Sequence, residues 1–340
     1  MTIIVKSIIG VDISKDSFDV CFGTLDNALQ QKFPGRAKFP NTQTGFRKFV
    51  TWTLKHQPTD ETSLWFVLEA TGVYYEALAY YLRDHGYQVA VILPTKMKHY
   101  TKTLEIKSKT DALDARAISQ FGLERPLTKW TPPSPQLRRL KELTREHDAL
   151  QEHATALKNQ LHAKHHSHQP GGATLRRLEV QLELLERQLA DVEHEMHAIV
   201  ESDSDLNGRI TNITSAKGIG FITAAKVIAE TGGFALLRNQ KQLASYAGFD
   251  VVLKESGTRR GKPAISKKGN SHLRRAVYMP ALTAIRCNKH LKEVFLRLVR
   301  TRGNKMIALT AVARKLLCLI FTLWKSGKPY DPNYSKAHTS

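Results

Sequence analysis

Sulfur is scarce in this chain. Three cysteines, Cys21, Cys287 and Cys318, lie far apart in 340 residues and form no Cys-x-x-Cys pair. That spacing excludes a disulfide scaffold or a thiolate zinc site and suits a reducing compartment. No charged start, apolar run and small-residue cleavage site mark a signal peptide, so a cytoplasmic protein is expected. A long uninterrupted apolar run is missing too. The most apolar late stretch, Met306 to Trp324, contains Arg314 and Lys315, and no membrane span is expected there. With 41% hydrophobic and 24% charged residues the chain can fold, and its length leaves room for two or three domains.

Acidic residues are the other scarcity, and it is local. From Leu206 to Ser340 there are 25 Lys and Arg but only five acids: Glu230, Asp250, Glu255, Glu293 and Asp331. Residues 1–205 hold 26 of each sign, so the whole net charge of +20 sits in the last two-fifths of the chain. A field that one-sided points to a polyanion, nucleic acid first, with a soluble basic surface or a binder of acidic membranes as the plainer readings.

Over residues 1–130, Ser7 to Gly23 reads as two apolar strands around a polar turn. Trp65 to Leu68 is a short buried strand running into Glu69-Ala-Thr-Gly72. Val73 to His85 has helical spacing with Gly86 as its C-cap, and Gln88 to Leu93 is a further strand stopped by Pro94. Strands alternating with helices predict an α/β layer with a largely parallel core.

Thr131-Pro-Pro-Ser-Pro135 opens a second regime, residues 131–205. Leu140, Leu143, His147, Leu150, Ala154, Leu157 and Leu161 step by three and four. After Pro170-Gly-Gly172 the pattern resumes at Leu178, Leu182, Leu185, Leu189, Val192, Met196 and Ile199. An antiparallel coiled-coil hairpin fits, as do two ordinary bundle helices. His162, His165, His166 and His168 beside the break have no Cys or carboxylate to join them and read as a solvated hinge.

Residues 206–330 read as a basic, mainly α-helical domain and 331–340 as a tail. In it, two apolar helices flank Gly218-Ile-Gly220, a turn similar to a helix–hairpin–helix element. Such glycines let backbone N–H groups approach a phosphate; a plain tight turn is the alternative.

Four acids stand where chemistry could use them. Asp12 and Glu69 each end an apolar strand, and Asp111 and Asp114 lie three apart on one helical face. Carboxylates drawn together repel unless cations neutralise them. Two hard divalent ions, Mg²⁺ or Mn²⁺, about 4 Å apart would do so and favour in-line displacement at phosphorus. Helix caps and surface acids are the plainer reading, and Asp16 and Asp19 are decoys beside Asp12.

Several pieces recur in a set order: Gly10-Val-Asp12-Ile-Ser-Lys15, Leu68-Glu69-Ala-Thr-Gly72-Val-Tyr74 and Lys109-Thr-Asp111-Ala-Leu-Asp114-Ala-Arg116. Leu243-Ala-Ser-Tyr-Ala-Gly248, Glu255-Ser256-Gly257, Ile265-Ser-Lys-Lys-Gly269-Asn270 and Leu273-Arg-Arg275 follow. Together they resemble the DEDD-type insertion-sequence transposases of the IS one-ten family, recombinases that include a DNA invertase. The resemblance implies an N-terminal RuvC-like domain of the ribonuclease-H fold, holding Mg²⁺ or Mn²⁺ through Asp12, Glu69, Asp111 and Asp114. It implies a C-terminal transposase domain with Ser256 as nucleophile. It further implies double-stranded DNA (element ends and target) as substrate and an element-encoded bridge RNA as guide. A homo-oligomer, dimer or tetramer, is implied as well, with the metal domain of one protomer serving the serine domain of another.

A serine hydroxyl needs a base, a metal or a cationic surround to become a nucleophile. Arg259, Arg260 and Lys262 follow Ser256 and could stabilise charge on an attacked phosphate. Lys267, Lys268, Arg274 and Arg275 read as phosphate-positioning charges along a helix. Tyr246 fits a stacking platform or a core position, and Ser245, Ser266 and Tyr278 are rival nucleophiles. The expected activity is DNA strand cleavage and rejoining through a phosphoserine. The alternatives are a metal-dependent junction nuclease using water and a non-catalytic nucleic-acid scaffold.

Overall fold

The computed structural model describes residues 3–56, 64–70, 72–104, 111–252, 255–256, 259–260 and 264–333, with the backbone alone at 111–112, 255–256 and 259–260. The chain forms two compact units, Met1–Pro132 and Pro133–Ser340, dividing inside the proline-rich break.

In the first unit, β1 (Ile4–Ile13), β2 (Ser17–Asp26) and β3 (Gln31–Pro40) form an antiparallel meander. Then come α1 (Gln43–His56), β4 (Leu64–Glu69), α2 (Glu76–Asp84), β5 (Gln88–Ile92), α3 (Pro94–Thr101) and α4 (Asp111–Glu124). The sheet order is β3-β2-β1-β4-β5, with β1, β4 and β5 parallel. The largely parallel core expected from the sequence is therefore half right. The links from β1 to β2 and from β2 to β3 are too short for a crossover, so those strands pair antiparallel. The helix expected from Val73 begins only at Glu76.

Strand alternation gives the sheet two apolar faces. Ile9, Val11 and Ile13 of β1 join Phe18, Phe66 and Leu68 against Phe46 and Phe49 of α1 and Leu78 and Leu82 of α2. On the other face Ile8, Val67, Ala90 and Ile92 pack with Met97 and Tyr100 of α3 and Ala117 and Ile118 of α4. Helices thus cover both sides of one mixed sheet.

The second unit is mainly helical. Ser134 caps α5 (Pro135–His165), its Oγ accepting from Leu137 N at 3.2 Å, and Pro135 at the first helical position has no N–H to lose. Helix α6 (Gly172–Glu201) returns along it, so 131–205 contains a long antiparallel hairpin. Its seam is buried at Leu140, Leu143, His147, Ala154, Leu161, Val192 and Met196, and half-buried at Leu178, Leu182, Leu185 and Leu189. Lys158 pairs with Glu186 at 2.9 Å and Arg139 with Glu195 at 2.9 Å along its flanks. Leu140, Leu143, Val192, Met196 and Val200 at its base belong to the same apolar core as the helices that follow.

Those are α7 (Ser204–Thr214), α8 (Phe221–Thr231), α9 (Gln240–Tyr246), α10 (Ser271–Cys287), α11 (Lys289–Arg302) and α12 (Lys305–Ser326). Between α9 and α10 lie two small ribbons, β6 (Val251–Val252) with β9 (Ala264–Ile265), and β7 (Glu255–Ser256) with β8 (Arg259–Arg260). Among the described residues α12 is the one helix long and apolar enough to cross a membrane, with a mean hydropathy of 1.9 in its most apolar window. Half of that window is buried in the protein, while Arg314 and Lys315 are exposed.

Candidate active site and nucleic-acid contacts

The acids of the first unit are placed by strand parity and register. Asp12 shares a face of β1 with Ile8 and Gly10, and Glu69 shares a face of β4 with Val67. Ile8 and Val67 belong to the α4 side, so both acids stand on that side. The β1–β4 ladder runs through Gly10↔Val67 and Val11↔Leu68, which sets Asp12 beside Glu69 on neighbouring strands about 4.8 Å apart.

Helix α4 brings the other pair. A Cβ on Gly10 would collide with the backbone of Ala115 and Ser119, and one on Gly122 would meet Ile8 Cγ2 at 2.7 Å. The helix therefore runs antiparallel to β1 in direct backbone contact. Two strand residues rise about 6.6 Å, a little over four helical residues. From the Gly10–Ala115/Ser119 crossing, the level of Asp12 is thus reached near Asp111 and Asp114. Asp12, Glu69 and Asp114 are all half-buried. Asp111 begins α4 and is described by its backbone only.

All four donors are oxygen, which fits a hard divalent cation. Among the described residues, no three His, Cys, Asp or Glu side chains are already gathered into a metal cluster, at these acids or at the histidines by the hairpin turn.

Ser256 lies in the second unit, on an arm described by the two ribbons β6–β9 and β7–β8. At its base Val251 pairs with Ile265 and Val252 with Ala264; further out Glu255 pairs with Arg260 and Ser256 with Arg259. The register thus sets a cationic residue directly across from Ser256. Lys262 falls outside the described residues.

The base of the arm is clamped by backbone. Ser266 N donates to Asp250 O at 2.7 Å, Lys267 N to Gly248 O at 3.1 Å and Asn270 N to Tyr246 O at 2.7 Å. Gly248 at φ +74° and Gly269 at φ +156° meet there, with no room for a Cβ on either. Asn270 caps α10, and its Nδ2 donates to Glu230 Oε2 at 2.7 Å. Buried Glu230 also accepts from Arg145 Nε of α5 at 2.8 Å. Burial pushes the Glu230 carboxyl up, but the hydrogen bonds from Arg145 and Asn270 outweigh it and hold it below its ordinary value.

Beside it, Asp148 pairs with Lys226 at 2.6 Å and with His272 at 3.3 Å. Sequence reasoning missed this polar core. Its one signal was Glu230, an acid alone within the apolar run of α8.

The basic residues expected to touch phosphate divide into two groups. Lys267 and Lys268 are exposed, in the loop before α10 and not along it. Arg274 is half-buried, and its Nη1 donates to Ala247 O at 2.8 Å. Arg275 pairs with Glu152 of α5. Both arginines are thus engaged within the protein. Tyr246 packs against the core, the plainer of its two readings.

At the α7–α8 turn, Gly218 sits at φ +101° against the backbone of Ala284, whereas Gly220 caps α8 with open space around it. A cavity of about 500 Å³ opens beside them, lined also by Thr223, Met279, Pro280 and Thr283.

Two family models match the chain, one described as Transposase over residues 9–168 and one as Transposase IS116/IS110/IS902 family over residues 210–296. The pilin gene-inverting protein of Moraxella bovis is 27% identical over 333 residues, covering 96% of this chain and 98% of its own length. That of Moraxella lacunata is equally similar. The transposase for insertion sequence element IS1111A of Coxiella burnetii is 23% identical over 95% of this chain and 91% of its own. These matches define an enzyme of DNA recombination. More particularly, the chain belongs to the IS110 family of transposases.

Proposed function

We propose that this transposase cuts and rejoins double-stranded DNA, at the element ends and at the target, through a phosphoserine at Ser256. Ser256 Oγ bonds to phosphorus as one strand P–O bond breaks, and the hydroxyl proton ends on the displaced oxygen. One diester replaces another, so rejoining needs no ATP. Asp12, Glu69, Asp111 and Asp114 would hold Mg²⁺ or Mn²⁺, which when bound polarises phosphoryl oxygens. The observation that carries this reading is the β1–β4 register, setting Asp12 beside Glu69 on the face that α4 crosses.

The first unit is a RuvC-like, ribonuclease-H-type domain on this reading, supported by the sheet order β3-β2-β1-β4-β5. The working parts are residues 1–130, a coiled-coil hairpin at 131–205, the serine domain at 206–330 and a tail at 331–340. Arg259, lying across from Ser256, neutralises the attacked phosphate with Arg260 and Lys262. Gly220, Lys267 and Lys268 contact backbone phosphates, with Gly218 shaping the turn. A bridge RNA encoded by the element selects the DNA sites, and the protein works as a homo-oligomer in the cytoplasm, at the nucleoid.

Strand cutting and joining on element-bearing DNA test the reading. Ser256→Ala should abolish both while leaving DNA binding within about twofold. Cutting that persists in Ser256→Ala would identify a nuclease that uses water. Full activity in Asp12→Asn and Glu69→Gln would leave the carboxylates a purely structural role.

A further inference from the structure

Helix α11 and its two flanks carry an unusual imbalance of charge. From Arg286 at the end of α10 through Lys305 at the start of α12, both included, there are seven Lys or Arg residues and one acid, Glu293. All seven cations are exposed, and none forms an ion pair among the described residues. Elsewhere in this unit cations such as Arg139, Arg145, Lys158 and Arg209 are matched to carboxylates.

The helix is amphipathic. Leu291 and Val294 are buried, and Phe295 and Leu298 pack against the core. Lys289, Leu296, Arg297 and Arg300 face outward with Glu293 among them. Unpaired charge held along a rigid helix is an ordered track for a polyanion.

We infer that the outer face of α11 is a docking surface for the phosphate backbone of duplex DNA, separate from the Ser256 arm. From Lys289 to Arg300 the track runs about 17 Å, the axial length of about five phosphates on one strand. Arg286 and Lys305 extend it at either end. No Phe, Tyr or Trp is exposed on α11, so it offers no platform for the stacked bases of a single strand. Its cations meet the phosphate backbone, and contacts of that kind position the duplex without selecting sequence. DNA is favoured over duplex RNA because this family acts on DNA. The inference takes DNA from the proposed function but needs neither the serine nor the metal.

The test is a salt titration of binding to a 30-bp duplex of arbitrary sequence, using the full-length chain with Ser256→Ala in every sample. Neutralising Lys289→Gln, Arg297→Gln and Arg300→Gln together should weaken binding at least tenfold at 0.1 M salt. The slope of log K against log [salt] should flatten by about 2.7, at about 0.9 per lost phosphate contact. Exchanging the same residues for the other cation (Lys289→Arg, Arg297→Lys, Arg300→Lys) should preserve affinity and slope, which excludes a folding artefact. Glu293→Gln should do the opposite and tighten binding.

An unchanged slope in the neutralised variant would overturn the inference. So would a loss confined to duplex RNA of the same length, which would make RNA the partner. Because no sample can form a phosphoserine, a failure of the Ser256 mechanism would not alter these outcomes.

Discussion

Gly10 of β1 lies directly against the backbone of Ala115 in α4. That contact sets the level of the helix over the strand, and through it the position of Asp114 relative to Asp12, two residues beyond Gly10. Glycine is required because even one methyl group would displace the helix.

Gly10→Ala should therefore destabilise the first unit by about 1–3 kcal/mol, the usual cost of overpacking. Recombination should fall with it even where the protein stays folded at low temperature. Gly220→Ala is the contrast, since the space around Gly220 is open. It should cost only the small amount by which alanine is the poorer N-cap, and lower DNA affinity through the phosphate contact proposed at α8. Thermal melts of both variants, read beside a binding assay, check the pair.

The buried Glu230 carboxylate gives a pH-dependent stability with a defined sign. Its proton affinity is depressed in the folded chain, so its stabilisation is complete above the ordinary carboxylate value of about 4.5 and fades as pH falls through the lower folded value. Glu230→Gln should cost about 1–3 kcal/mol at pH 7; the exposed side of Arg145 keeps the figure below that of a fully buried pair. The gap to wild type should shrink toward pH 3. Urea unfolding at the two pH values measures it, and a gap that stays constant would contradict the assignment.

Arg274 and Lys268 separate structure from binding. Losing the Arg274 hydrogen bond to the Ala247 carbonyl should cost about 1–2 kcal/mol of stability in Arg274→Ala. Lys268→Gln should leave stability within about 0.5 kcal/mol, as at most exposed positions, and lower affinity for all DNA sequences alike.

For the carboxylates, Asp12→Asn and Glu69→Gln should each reduce recombination at least a hundredfold with little change in DNA affinity. Supplying Mn²⁺ in place of Mg²⁺ should support activity in the wild type. Single-turnover strand joining in the two metals reads both effects.

Legibility in the sequence followed how strongly each local pattern was expressed. β4 and β5 are short apolar runs with clear ends, and the hairpin seam repeats over sixty residues, so both could be read directly. β3 alternates strictly in burial, but Pro34 and Gly35 read as a turn in sequence; it survives because it is an edge strand, where proline is tolerated. Helix α1 buries only a narrow stripe of Phe46, Phe49 and Thr53 beside Gly45, too thin to stand out. Asp12 and Glu69 were visible as strand-ending acids, but their shared face depends on a pairing register between distant segments. Arg274 and Arg275 show the remaining limit. A basic residue looks the same in sequence whether it meets a carbonyl, a carboxylate or a phosphate.

In the proposed mechanism Ser256 becomes covalently joined to DNA with help from the carboxylates. The direct measurement is mass spectrometry of protein purified under denaturing conditions from cells carrying the whole element and its flanks. The expected result is a DNA adduct on Ser256 that vanishes in both Ser256→Ala and Asp12→Asn. Metal-dependent strand breaks with no adduct on wild-type Ser256 would contradict it and make water the nucleophile.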